Sequence, residues 1–345
     1  MGASRSISKF SKSIRSLQMH IQRGLAGIIT VFSFCFHGQA MAQPAAAYPD
    51  RPIRMLVTYP PGGGVDLAAR VIGQKITDAL GQQVIVDNRG GAGGNIAMEM
   101  AARAQPDGYT LVMTAAGPTA INVSLYKKIP FDPIKDFAPV ALVATTVYAL
   151  VVHPSVEAKS VKELIALAKA SPGKLTFASA GIGAPPHMAG ELLKGMAGID
   201  IIHVPFKGTG PALAALMGGQ VTMMFSDALA AVPQIKAGKL RGLAVSSAKR
   251  FSLVPEMPTI AESGVPQFSA VGWTGLLAPA GVPMSSVNKL NAVVVKALPM
   301  PDVSLKLAGN GSEFGQNTSE MFSKFIKEEI SKWGKVIKAS GATAE

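Results

Sequence analysis

Twice in this chain a short apolar segment runs into a glycine-rich loop that opens a helix, once in each half. The first loop is Tyr59-Pro60-Pro61-Gly62-Gly63-Gly64-Val65-Asp66, entered from Ile53–Thr58. The second is Ser179-Ala180-Gly181-Ile182-Gly183-Ala184-Pro185-Pro186-His187, entered from Leu175–Phe177. Helix and strand interiors do not tolerate so much Gly and Pro, so each loop must be a junction between elements. Beyond the first, Leu67, Ala68, Val71, Ile72, Ile76, Ala79 and Leu80 recur at helical spacing until Gly81. Val84–Val86 then reads as a strand, 95–104 as a helix and Thr110–Met113 as a strand. This β-α-β-α-β order predicts a parallel sheet with right-handed crossovers.

The alternation restarts after Ala144. Val147–Val152, Leu175–Phe177, Ile201–Val204, Val221–Phe225 and Leu240–Val245 read as strands, with helices near 161–170, 187–196 and 211–217 between them. A last segment carries one more strand, Val271–Leu277, and helices near 285–297 and 319–339. With 345 residues the chain is long enough for two domains.

The formal charge of +12 looks like a nucleic-acid signal until it is mapped. Residues 1–42 carry Arg5, Lys9, Lys12, Arg15 and Arg23 without an acid, then the apolar run Leu25–Phe36 and the small-x-small site Ala40-Met41-Ala42. That layout predicts a secretory leader cleaved after Ala42, with export to the periplasm. A run of this length spans only about 18 Å of a roughly 30 Å hydrocarbon core, too little for an anchor. Phe34 before Cys35 argues against a lipoprotein. The remaining positive charge is dispersed, with no basic stripe, which argues against nucleic-acid binding and suits an anionic small molecule.

Several chemistries fail on their residues. The one Cys excludes a disulfide framework, a Cys-ligated zinc site and an iron–sulfur cluster. The glycine loops give neither a P-loop nor the dinucleotide fingerprint, and Ser179 lacks the first Gly of a nucleophile elbow. His187 and Glu191 have helical i,i+4 spacing but no third ligand, and read as a helix-start His beside a surface Glu. No cofactor and no metal are therefore expected. The two glycine loops remain: each would set backbone N–H groups at a helix N-terminus, where an anion is favoured. Ordinary turns are the other reading, with Asp66 an N-cap.

At these residues the sequence resembles the Bug (TctC-like) family of extracytoplasmic receptors associated with tripartite tricarboxylate transporters. The resemblance rests on YPPGGGVDLAAR (59–70), DNRGGAGGNIA (87–97), ARAQPDGYTLVM (102–113), FDPIKDFAPV (131–140), GKLTFASAGIGAPPHMAGELLK (173–194), VPFKGTGPAL (204–213), GGQVTMMF (218–225), GKLRGLAVSSAKR (238–250), PEMPTIAESGVP (255–266) and WTGLLAPAGVP (273–283). It implies an α/β, two-lobed periplasmic binding protein of type II-like architecture, with the ligand in the cleft between lobes. The lobes are expected at 43–145 plus 269–345, and at 146–268, closing about crossings near Ala144–Val147 and Ser269–Val271.

The expected activity is capture of a small organic anion, a carboxylate, for a transporter, by a monomer that performs no bond chemistry. An exported α/β enzyme acting on a small carboxylate, or a receptor serving a sensor, stays open as the alternative. Backbone at Gly62, Gly63, Gly64, Gly181 and Gly183 is expected to cradle the anion. Asp66 either caps its helix or accepts from a ligand, and His187 and Lys207 are either second-lobe contacts or structural. Tyr59, Thr114, Ser179, Ala180, Ala184, Gly208 and Asp227 complete the candidate set. The sequence departs from the family pattern at Ala184, where Ser or Thr is common, at Thr222, where an acid is common, and at Gly90, where Pro is common.

Overall fold

The computed structural model describes residues 48–307 and 317–344. The expected leader, 1–42, lies outside the described residues.

The first sheet has the order β2-β1-β3-β10-β4. Its strands are β1 (Ile53–Val57), β2 (Val84–Asn88), β3 (Thr110–Ala115), β4 (Phe137–Thr146) and β10 (Gly272–Pro279). Helix α1 (Gly64–Leu80) joins β1 to β2, and α2 (Asn95–Ala102) joins β2 to β3. The α1 periodicity buries Ala68, Ala69, Ile72 and Ile76. The helix ends where Gly81 takes the left-handed conformation, φ 73°, and returns its N–H to Thr77 O. A π turn, Gly117–Ile121, and the short α3 (Asn122–Leu125) follow β3.

The second sheet has the order β7-β6-β8-β5-β9. Its strands are β5 (Tyr148–Val152), β6 (Thr176–Ser179), β7 (Ile202–Pro205), β8 (Met223–Asp227) and β9 (Arg241–Val245). Between them run α4 (Val161–Ala170), α5 (Pro185–Ala197), α6 (Thr209–Met217) and α7 (Ala228–Lys236). After β10 come α8 (Met284–Ala297), α9 (Pro301–Ser304) and α10 (Ser319–Ser340).

Both sheets are mixed, which corrects the parallel-sheet expectation. The strands linked by helices are parallel: β1 with β2 and β3, and β6 with β7 and β8. Strand β10 is antiparallel to both its neighbours, and β5 to both of its own. These two strands are delivered by the chain crossing between sheets, not by a helical crossover, so the right-handed β-α-β rule does not set their direction. Strand β4, which the sequence did not suggest, lies at an edge, where Pro139 removes no essential ladder bond. Its outer side is covered by the Asn317 side chain, which accepts from Leu142 N at 3.0 Å and donates to Leu142 O.

Helix α10 buries Phe322, Ile326, Glu329, Trp333, Val336 and Ile337 along one seam. It packs on β4 of the first sheet and on α5 beside the second. One apolar cluster consequently runs through both halves, from Leu142 and Leu277 through Trp273, Phe322 and Trp333 to Leu150, Phe177 and Phe225.

Candidate functional site

Parallel register brings strand C-termini to one end of each sheet. Val57 pairs with Asn88 and with Met113, and Ser179 with Pro205. The glycine loops leave from these ends, the ligand-binding end of open α/β sheets. Between them lies a cavity of about 510 Å³, within the usual range for small-molecule sites. Tyr59, Asn122, Leu125 and Tyr126 line it from the first sheet, and Ala180–Pro186, Thr209 and Asp227 from the second. The crossing strands supply Thr146, Tyr148, Trp273 and Thr274.

Of the residues singled out from sequence, Tyr59, Gly64, Ala180, Gly181, Gly183, Ala184 and Asp227 meet at this wall. The others stand behind or beside it. Asp66 is buried and binds its own loop: it accepts from Gly62 N at 2.9 Å, from Asn88 Nδ2 at 3.0 Å and from Arg70 Nε at 3.1 Å. Burial works against its ionisation, but these hydrogen bonds outweigh it and hold the carboxyl below its ordinary pKa. Thr114 is fully buried against Thr119, 2.9 Å between hydroxyls. Gly208 donates to Ala180 O and N-caps α6, while Lys207 is exposed and off the wall. Gly63 has open space around it.

The second loop is held by two histidines. His187 Nδ1 accepts from Gly183 N at 3.1 Å, so the ring proton sits on Nε2, 3.7 Å from Glu191. His203 stacks on His187 at 3.8 Å and meets Ser179 Oγ at 2.6 Å. Ser179 Oγ also accepts from Gly181 N at 3.1 Å. Glu191 is not the surface residue expected, its side chain being 10% exposed. The N–H groups of Gly62, Gly181 and Gly183 are therefore engaged by Asp66, Ser179 and His187, which corrects the expectation that they stand open to an anion. One arrangement recurs: a glycine N–H is accepted by a side chain four residues on, Asp66 for Gly62 and His187 for Gly183.

Burial, reinforced by His187, pushes the His203 pKa down to about 4. Between pH 4 and 6.5 the unfolded chain then binds more protons at this residue than the native one. Its contribution to stability is complete above pH 6.5 and is lost as pH falls toward 4. Thermal denaturation across pH 4–7 should show a slope that His203→Gln, which keeps an N–H donor for Ser179, reduces. An unchanged slope in that variant would place the titration elsewhere.

The sequence did not reveal Asn122, Tyr126, Thr146, Tyr148, Trp273 or Thr274. Tyr148 and Trp273 had a signal, since they stand one and two residues beyond the crossing segments, and the floor of a cleft between sheets must be made there. Asn122, which donates to Gly93 O at 3.1 Å and Asn95 Oδ1 at 2.8 Å, sits in a turn that carries no recognisable motif. Among the described residues no group of three or more His, Cys, Asp or Glu converges on a metal-sized site.

The description "Tripartite tricarboxylate transporter family receptor" (TctC) fits residues 68–342. The chain belongs to the TctC receptor family. Protein BugT of Bordetella pertussis is 37% identical, the match covering 94% of this chain and 99% of BugT. Two solved structures of Rhodopseudomonas palustris proteins superpose closely. Rpa4515 with adipate gives a TM-score of 0.72 at 34% identity, over 86% of this chain and 99% of that one. MatC with bound malate gives 0.71 at 35% identity, over 84% and 100%. TctC receptors are periplasmic solute-binding proteins, and the two mixed sheets described above carry their two-lobed α/β fold. No described helix is long and apolar enough to cross a membrane.

Proposed function

We propose that the cavity holds a small organic acid, captured as two lobes close and handed to a membrane transporter without bond chemistry. The observation that carries this reading is the convergence of both sets of strand C-termini and both crossings on one cavity, in a TctC receptor. The relatives with adipate and malate support a carboxylate as ligand. The lobes are 43–145 plus 269–345, and 146–268, and the mature chain starts at Gln43 in the periplasm and acts as a monomer. Closure must rest on contacts made only in the closed form. Leu125 approaches Gly183 closely across the cavity, so close that a Cβ on Gly183 would collide with it. Polar recognition falls to Tyr59, Asn122, Tyr126, Tyr148 and Asp227, with Gly64, Ala180, Gly181, Gly183 and Ala184 letting the ligand approach the backbone. Gly62, Gly63, Asp66, Thr114, Ser179, His187, Lys207 and Gly208 shape the loops behind it.

A thermal-shift screen of mono- and dicarboxylates tests this, because a ligand of the native state raises apparent stability. Failure of every acid to shift the midpoint would refute it. A second readout is built in. The chain has two tryptophans, and Trp273 lines the cavity while Trp333 does not. Ligand should change intrinsic fluorescence saturably in wild type and Trp333→Phe, but not in Trp273→Phe. A retained signal in the last variant would contradict the placement.

A further inference from the structure

Taking the cavity as the ligand site, its charge pattern constrains what the ligand carries. Asp227 is the one carboxylate on the wall, and no Lys, Arg or His lines it among the described residues. Burial holds the Tyr59 pKa at about 12, so it meets a ligand as a neutral donor. Asp227 also occupies the N-terminus of α7: its Oδ1 accepts from Leu229 N at 2.9 Å. The seat that this helix end would offer an anion is thus filled by the protein's own carboxylate. A second ligand carboxylate beside it would meet like charge in a desolvated cavity, with no cation on the wall to offset it.

We propose that Asp227 makes this receptor select an organic acid bearing an ammonium group remote from its carboxylate, over the dicarboxylate of equal length. The carboxylate end is received by the hydroxyl donors on the opposite wall, Tyr59 and Tyr126, and the ammonium faces Asp227. Burial raises the pKa of Asp227, opposed by hydrogen bonds from the N–H groups of Leu229 and Ala230. A cationic partner relieves that penalty and a second anion deepens it.

The test is calorimetry on the mature chain with matched pairs: β-alanine and succinate, 4-aminobutyrate and glutarate, 5-aminopentanoate and adipate. At least one amino acid should bind roughly tenfold or more tighter than its diacid partner. Asp227→Asn keeps the helix cap, since Asn caps almost as well as Asp. It should shift that ratio at least tenfold toward the diacid while leaving the unfolding midpoint nearly unchanged. Tighter binding of the diacids, or a ratio unmoved in Asp227→Asn, overturns the inference and leaves the organic-acid reading standing. If neither these acids nor any in the wider carboxylate screen binds, the reading itself falls and the inference with it.

Discussion

Glu329→Leu is expected to destabilise the protein by about 3 kcal/mol or more, measured by urea unfolding. Both tryptophans of the chain donate to one oxygen of this carboxylate, Trp273 Nε1 at 3.0 Å and Trp333 Nε1 at 2.8 Å from Oε2. Lys332 pairs with its other oxygen. Glu329 is 4% exposed, so water cannot take its place. Leucine fills a similar volume and leaves two buried indole N–H groups without an acceptor, each costing about 1–3 kcal/mol. Glu329→Gln retains an amide oxygen for them and should lose roughly 1 kcal/mol, the difference between a charged and a neutral acceptor. Equal midpoints for Glu329→Leu and wild type would show that the indoles find other partners.

Gly183→Val should weaken ligand binding by about a hundredfold or more. Gly183 has φ +76°, and a Cβ there would collide with the Leu125 side chain. Left-handed backbone costs an L residue roughly 1–2 kcal/mol, and a β-branched side chain adds the clash across the cavity. The loop must shift, and His187 then loses the Gly183 N–H that fixes it. Gly63→Ala is the control, with no atom within 4 Å of the new Cβ and a φ of −90°. It should bind as wild type does. The comparison uses titration with the acid that the screen identifies, and normal affinity in Gly183→Val would mean that Leu125 and Gly183 are apart in the bound form.

What the sequence made legible was local. Strands β1, β3, β6 and β8 announced themselves as short apolar runs, and α1 and α10 by their periodic burial. The direction of β5 and β10 was not legible, because it depends on how the chain crosses between sheets and leaves no trace in either strand's own pattern. Strand β4 hid behind Pro139, which reads as a breaker until the strand is known to be an edge. At the site, the glycine loops were found but their donors were misread. The acceptors were in plain view: Asp66 and His187 each stand four residues after the glycine whose N–H they take. Tyr126 and Asn122 could not be found, since they reach the cavity through a turn packed against another part of the chain.

Strands β4 and β10 are antiparallel neighbours whose register begins at Gly272 opposite Thr146. In a simpler protein two such strands would be closed by a turn of a few residues. Here residues 147–271, with an entire five-stranded sheet, stand where that turn would be. The exit and re-entry points are adjacent, so the ladder of the first sheet runs up to the very point where the chain leaves and returns. Asp227 and the other wall residues of the second sheet therefore lie outside the strand pairing that holds the first sheet together.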